Sequence, residues 1–459
     1  MKSLVYFSLA VVFWWSGCDA YVKQYWMEMP LDHFNLFDNR TWDMRYLVKK
    51  SFFHKGGPLF LEIGGEATIT KDDLTSGQLY KLAKKHRGML VETEHRYYGK
   101  SLPLTTNFTV ENLKYLQMEQ ALEDLAYFIE HYKKQTKGLE NSLVVVHGCS
   151  YPGMLATWMR LRFPHVVDIA YASSAPLGVG LNYPEFYEIA HDVYANVSDV
   201  CIETIREGFN STARLLTTAE GRKKVRKALK DWQCGDVSQM NSVEILKTMA
   251  SVMNVLNDPQ NYEDVTCLVL SMDADDTSAF ERLAKFILLK TIDRQSCGSG
   301  DDDEEVDEED SRNKIFALDL AWSYQTCTEM GTFQTLDSKN SKHPFAVDSS
   351  VQESVDECVE DFGGGVTEHV LRNGIERVTR RYGGKKPVVT KVVTVQGTDD
   401  PWKHLAALEN YTSEAPVFLV KGNHCVDLSE GDDVPDHVVK VQKEVRDIVS
   451  KWIKELSKK

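Results

Sequence analysis

Residues 144–153 read Val-Val-Val-His-Gly-Cys-Ser-Tyr-Pro-Gly. A β-branched run closes at Gly148, a serine stands two residues on, and a helix-compatible stretch follows at once. That order predicts strand, sharp turn and helix with Ser150 at the apex. It fits the G-x-S-x-G pattern of a serine nucleophile turn at all but one place: the fifth position is Pro152, and the glycine stands at 153. Gly148 is small enough for the backbone to fold back. Tyr151 keeps an N–H that can face an oxyanion. Pro152 falls in the first helical turn, where its missing N–H has no helical partner. Its expected cost is close packing between helix and strand. An ordinary strand–turn–helix with a chance serine is the bland alternative, so partners elsewhere must decide.

The flanking pattern sets the fold class. Residues 58–63, 89–93, 143–146 and 166–171 read as short buried strands, and helical stretches over 110–132 and 153–163 alternate with them. Strands alternating with helices imply a parallel sheet. After about residue 180 the pattern turns helical, over 184–290 and 313–380, before strand signals return at 388–395 and 417–420. The last segment carries Val438, Val441, Val445, Ile448, Trp452 and Leu456 at three- and four-residue steps, one face of an amphipathic helix. The expected organisation is a leader at 1–20, a sheet domain in two parts at 21–180 and 386–459, and a helical insertion at 181–385. At roughly 200 residues the insertion is far beyond loop length. Residues 300–311 are an acidic run expected to be a solvated loop; calcium-loop spacing is absent.

Composition narrows the function classes. The chain has 459 residues with 53 Lys+Arg against 68 Asp+Glu, a net charge of −15, which argues against a nucleic-acid partner. With 42% hydrophobic residues it can bury a large core. Lys2, the apolar run Leu4–Trp15 and the small residues before Tyr21 read as a signal peptide cut after Ala20. No later segment is apolar enough to span a membrane. Of nine cysteines, Cys18 leaves with the leader, and six lie between residues 200 and 360 without metal-site spacing. An oxidising compartment makes them disulfides. Five Asn-x-Ser/Thr sequons, at Asn39, Asn107, Asn196, Asn210 and Asn410, are expected to carry glycans. Neither a metal nor an organic cofactor is expected.

A serine nucleophile needs a base and a carboxylate, which on such a sheet follow in the order Ser, Asp, His at strand ends. Asp399-Asp400-Pro401-Trp402 comes just after strand 388–395, and Asn423-His424-Cys425 after strand 417–420. Ser150 would attack a carbonyl, His424 would take and return its proton, and Asp400 would orient the imidazole.

Several runs together resemble one family. They are Leu31-Asp32-His33-Phe34, Arg45-Tyr46, Ile63-Gly64-Gly65-Glu66, Glu94 to Ser101, Gly148 to Trp158, Ala172 to Pro176, Gln325 to Glu329, Asp400 to Trp402 and His424 to Leu428. The chain is similar to the serine peptidases of the lysosomal Pro-Xaa carboxypeptidase and dipeptidyl peptidase II family. The resemblance implies an α/β-hydrolase sheet with a helical, disulfide-bearing cap inserted between Ser150 and Asp400, and prefers Asp400 over Asp399. It implies Gly65 as a second oxyanion donor beside Tyr151. It also implies pairs Cys201–Cys267, Cys234–Cys297 and Cys327–Cys358. Cys149 and Cys425 are left over; free thiols are expected, with a bond near the site as the alternative. Cys425 stands where a second histidine follows the catalytic one in two family branches, and so looks more like the thymus-specific branch.

The resemblance implies an exopeptidase acting on short peptides after Pro or a small residue, secreted or lysosomal. Release of N-terminal dipeptides and of single C-terminal residues both stay open. Glu66, Glu329 and Trp402 are candidates for the substrate pocket, with Trp322 and Tyr324 behind them; core packing is the alternative for each aromatic. His95-Arg96 is expected to be structural. An esterase and a silent binding protein are the competing functions. A homodimer is compatible with a sequence that does not set the oligomeric state.

Overall fold

The structure is a computed structural model that describes residues 21–104, 108–232, 236–256, 262–272, 277–291, 319–336 and 342–458. The leader, Asn107, Cys234, Cys297 and the acidic run at 300–311 lie outside them.

Among the described residues, eight strands form one sheet, and β7 (Gly180–Asn182) pairs with β8 (Gly331–Phe333) in a second. In spatial order the eight are β1 (Lys23–Pro30), β2 (Thr41–Lys49), β4 (Met89–Thr93), β3 (Leu59–Ile63), β5 (Val144–Cys149), β6 (Ile169–Ser173), β9 (Val392–Gly397) and β10 (Val417–Val420). β2 runs antiparallel to both its neighbours, and all pairs from β4 to β10 are parallel. This is the α/β-hydrolase arrangement.

The strands are buried on both faces, which is why they read as continuous apolar runs. Phe60, Leu90, Val145, Ile169 and Val393 pack with α1 (Gly77–His86) and the C-terminal helix Asp436–Leu456. Leu59, Leu61, Val144, Val146 and Ala170 face the other way, toward α2 (Met118–Gln135) and α3 (Tyr151–Arg162). On the C-terminal helix Val438, Val445 and Trp452 are fully buried as expected, with Val449 and Ile453 beside them; Val441, Ile448 and Leu456 lie at the stripe's margin.

Three features differ from the sequence reading. The β1–β2 hairpin was not anticipated, although Trp42, Met44, Tyr46 and Val48 alternate into the core with the two-residue period of a strand. The helix expected over 110–132 is a short turn at Val110–Leu113 followed by α2, whose first N–H is taken by the Glu329 carboxylate at 2.9 Å. The inserted segment is divided between two cores. Helices from Glu185 to Lys290 surround their own cluster with Phe209, Met249 and Leu283. The later helix Glu368–Tyr382 instead joins the core of the sheet, with Tyr382 stacked on Trp158 at 4.1 Å. Cys201–Cys267 and Cys327–Cys358 are bonded.

The Glu94-His95-Arg96 run is a set of buried ties. The Glu94 carboxylate accepts from the Arg45 guanidinium on β2, the Ser101 hydroxyl and the Lys100 N–H. Arg96 is 1% exposed; it forks onto Asp124 of α2 and also donates to the carbonyls of Leu31 and Tyr115. Removing one partner of a buried pair strands the other charge, at a cost of about 3–5 kcal/mol. Asp124→Ala is therefore expected to lose that much in urea unfolding; a loss below about 1 kcal/mol would contradict this reading of Arg96.

Candidate active site

β5 ends at Cys149 and α3 begins at Tyr151, so Ser150 alone makes the turn, at φ 61° and ψ −128°. A non-glycine residue there stores roughly 1–3 kcal/mol and persists only where its surroundings enforce it. The Ser150 N–H donates to the Ser173 carbonyl at 3.0 Å, and the Ser150 carbonyl accepts from the Met154 N–H at 3.1 Å. A side chain at Gly148 would come within 2.3 Å of the Pro152 carbonyl, and one at Gly153 within 2.8 Å of the Ser173 carbonyl. Helix and strand thus meet through Gly148 and Gly153. The outer ring atoms of Pro152, Cγ and Cδ, face elsewhere. A Cβ at Gly65, on the loop after β3, would sit 2.6 Å from Pro152 Cγ. Pro152 therefore brings the Gly65 loop onto the turn rather than parting helix from strand. Gly65 and Tyr151, the two expected oxyanion donors, flank it; Tyr151 is the first residue of α3, where N–H groups lack helical partners.

Asp400 and His424 meet on the loops after β9 and β10. Asp400 is fully buried. Its Oδ2 accepts from His424 Nδ1 at 2.9 Å and Gln396 Nε2 at 2.7 Å, and its Oδ1 from the Trp402 N–H at 2.8 Å. Burial alone would raise its pKa, but His424 and the converging donors outweigh burial and hold it below the usual carboxylate range. Asp399 instead donates its N–H to the Gly422 carbonyl. With Nδ1 engaged, Nε2 of His424 is the nitrogen left for a substrate-side proton. Ring nitrogen, Cys149 Sγ and Cys425 Sγ lie within 4.8 Å of one another, which brings the imidazole next to the residue preceding Ser150.

The free thiols expected at Cys149 and Cys425 are corrected: the two are bonded. The end of β5 and the His424 loop converge to a Cα–Cα distance of 6.1 Å, within disulfide reach, although 276 residues separate them in sequence. Among the described residues this pair with His424 is the one group close enough to hold a metal, and its sulfurs are tied to each other rather than presented as thiolates.

A directed hydrogen-bond chain backs Tyr151. His95 Nδ1 meets the Arg96 carbonyl at 2.7 Å, so Nδ1 carries the proton and Nε2 accepts from the Tyr151 hydroxyl at 3.0 Å. Gln325 Nε2 donates to the same hydroxyl, and Gln325 Oε1 accepts from Tyr98 at 2.6 Å. Burial pushes His95 down to about 4, so its imidazole stays neutral. Gln325 immediately precedes a π-helical turn, Thr326–Met330, pinned by Cys327–Cys358. The motif of the inserted segment thus reaches the residue after Ser150.

The pocket candidates separate. Glu329 is 1% exposed and engaged: it accepts from the Met118 N–H and from Arg377 at 2.8 Å. Trp402 stacks on Tyr183 at 5.5 Å and meets Phe186 edge-on, in an aromatic group joined to the inserted helices' core. Tyr324 is buried against Phe362, whereas Trp322 is half-buried and edge-on to Tyr151. Glu66 follows Gly65 and is half-buried; burial raises its pKa, opposed by its own N–H and by the field of His424. Ser174, Gln396 and Gln325 received no role from sequence. Ser174 and Gln325 stand in motif runs, but nothing in a run says which members turn inward.

A strained serine at a strand–helix junction, with a buried carboxylate paired to a half-buried imidazole at neighbouring strand ends, fits a serine-hydrolase class of site. The chain belongs to the serine carboxypeptidase S28 family, whose profile matches residues 29–445. It is 27% identical to thymus-specific serine protease of Mus musculus over 96% of this chain and 90% of the relative. It is also 27% identical to lysosomal Pro-X carboxypeptidase of Homo sapiens, over 89% of this chain and 84% of that protein.

Burial pushes the Glu329 carboxyl up to about 7 from an ordinary 4.5, against the opposing pull of Arg377. The fold thus favours its neutral form. That contribution to stability is complete below the unfolded value and is lost as pH rises through the folded one. The urea midpoint is expected to fall between about pH 5 and pH 8, and to fall less in Glu329→Gln; equal slopes would contradict the assignment.

Proposed function

We propose that this protein is a secreted or lysosomal serine exopeptidase that cleaves short peptides through an acyl-enzyme, after Pro or a small residue. The observation that carries the reading is the positive-φ Ser150 joined, through the Cys149–Cys425 bond between their neighbours, to the loop of the Asp400–His424 pair. Ser150 Oγ attacks the peptide carbonyl while His424 Nε2 takes its proton. Asp400 holds the imidazole with Nδ1–H toward itself and stabilises the imidazolium that forms. The N–H groups of Tyr151 and Gly65 receive the developing oxyanion. His424 then returns the proton to the leaving amine, and water, deprotonated by the same base, hydrolyses the ester.

The exopeptidase mode and the preference for Pro are drawn from the relatives. Of the acidic candidates, Glu66 suits a peptide amine, since Glu329 is engaged by Met118 and Arg377. Trp322, edge-on to Tyr151, suits a pocket wall. Trp402 would act through the loop of Asp400. The leader pattern at residues 1–20 and three disulfides support an oxidising route. Asn39, Asn196 and Asn410 are exposed sequons, as glycosylation requires; Asn210 is half-buried.

A fluorophosphonate probe is expected to label the wild type and not Ser150→Ala. His424→Ala is expected to lose about 10⁴-fold or more in kcat while staying folded. A folded wild type that stays unlabelled would favour the silent binding protein. Peptides with Pro second from the amino end and second from the carboxyl end separate the two modes, with short-chain esters as the control for an esterase. If dipeptides are released, Glu66→Gln is expected to raise KM far more than it lowers kcat; an unchanged KM would remove Glu66 from the pocket.

A further inference from the structure

The loop that carries His424 is fastened chiefly to the strands beside Ser150. Asp427, fully buried, accepts from the Ser173 hydroxyl at 2.7 Å and from the Tyr171 hydroxyl. The Cys425 N–H donates to Ser174 Oγ at 2.9 Å. Ser174 sits at φ 42°, its N–H donates to the Val395 carbonyl at 2.8 Å, and its hydroxyl donates to the Asp400 carboxylate. Ser174 therefore lies between the acid's side chain and the base's loop. The fourth fastening is covalent. Cys425, itself at φ 51°, follows His424 and is bonded to Cys149, which precedes Ser150. One bond thus joins the immediate neighbours of the nucleophile and of the base.

Among the described residues this bond is placed unlike the other two. Cys201, Cys267, Cys327 and Cys358 are each under 8% exposed and lie within the two hydrophobic cores. Cys149 and Cys425 are half-buried at the carboxyl edge of the sheet and belong to neither. The sheet has its own packing on both faces, so its cohesion does not depend on the bond. The position of the imidazole does, because a displacement of about 1 Å at a reacting group costs on the order of 10²-fold in rate.

We propose that Cys149–Cys425 is a positioning cross-link for the base, with Ser174 as its non-covalent second tie, and that its reduction slows turnover without unfolding the protein. The step needs a small dithiol as reductant. A thiolate of the dithiol attacks one sulfur, the S–S bond breaks, and the second thiol closes the reagent into its own disulfide. Two electrons and two protons pass to the protein, leaving Cys149 and Cys425 as thiols and the His424 loop held by hydrogen bonds and the packing of Val426. The proposal rests on the serine-peptidase reading of the site.

The test treats the folded wild type with increasing dithiothreitol, and maps the opened cysteines by alkylation and mass spectrometry. It follows kcat, KM, the pH profile and thermal unfolding at each step. Opening of Cys149 and Cys425, before the core disulfides, is expected to lower kcat 10- to 100-fold. KM should change little, the protein should stay folded at the assay temperature although its unfolding temperature falls with the lost cross-link, the acid limb of the pH profile should move, and reoxidation should restore the rate. The double variant Cys149→Ser/Cys425→Ser should reproduce the loss. Ser174→Ala should cost more in that background than alone. An unchanged kcat and pH profile after selective opening would overturn the proposal, as would loss of kcat only in step with unfolding. Failure of the oxidised wild type to take the fluorophosphonate would instead sink the peptidase reading itself.

Discussion

The site depends on one backbone turn held where a side-chain-bearing residue does not rest by choice. Ser150 occupies positive φ because the Ser173 carbonyl takes its N–H and because α3 lies close enough for its first turn to close. That closeness in turn requires no side chain at Gly148 or Gly153. The strain is offset by a central strand with no exposure at Val144, Val145 or Val146. A rigid sheet can hold a strained apex, and a strained apex lifts the hydroxyl clear of the strand. Pro152 fits this logic. It stands at a position where an N–H would go unused, and its ring meets the loop of Gly65.

Two sets of attachments surround that apex. On one side the His424 loop is tied to β5 and β6 through Cys149, Ser173 and Ser174. On the other, Tyr98, Gln325, Tyr151 and His95 form one chain of directed hydrogen bonds from the inserted segment to the start of α3. The neutral His95 suits that chain: a protonated ring would lose the acceptor that Tyr151 needs. The later part of the insertion shares the core of the sheet, which gives Gln325 a fixed mounting.

Much of this could be read from sequence, for physical reasons. Strands buried on both faces declare themselves by β-branched runs, and the Ser, Asp and His positions follow from what must stand at strand ends. That order left Asp399 and Asp400 both open and the family resemblance preferred Asp400, the one whose carboxylate meets His424. The hairpin of β1 and β2 was hidden because Arg45 and Lys49 sit among its apolar positions; their charges are absorbed by partners distant in sequence, Glu94 for Arg45 and the Tyr80 ring for Lys49. The Cys149–Cys425 bond is not legible in the sequence, because the approach of two segments 276 residues apart is a property of the folded sheet. Glu329 looked available for a ligand, and only the packed structure shows Met118 and Arg377 already using it.

The central claim is that the turn at Ser150, the loop of Gly65 and the Asp400–His424 pair enclose one reacting centre. A crystal structure with a peptide boronate tests it most directly, since tetrahedral boron imitates the intermediate of acyl transfer. The account predicts boron bonded to Ser150 Oγ and one boron oxygen about 2.7–3.1 Å from the backbone nitrogens of Tyr151 and Gly65. It predicts His424 Nε2 in hydrogen-bond reach of the adduct while Nδ1 stays on Asp400. Boron attached elsewhere, or an adduct whose oxygen points away from both nitrogens, would contradict it.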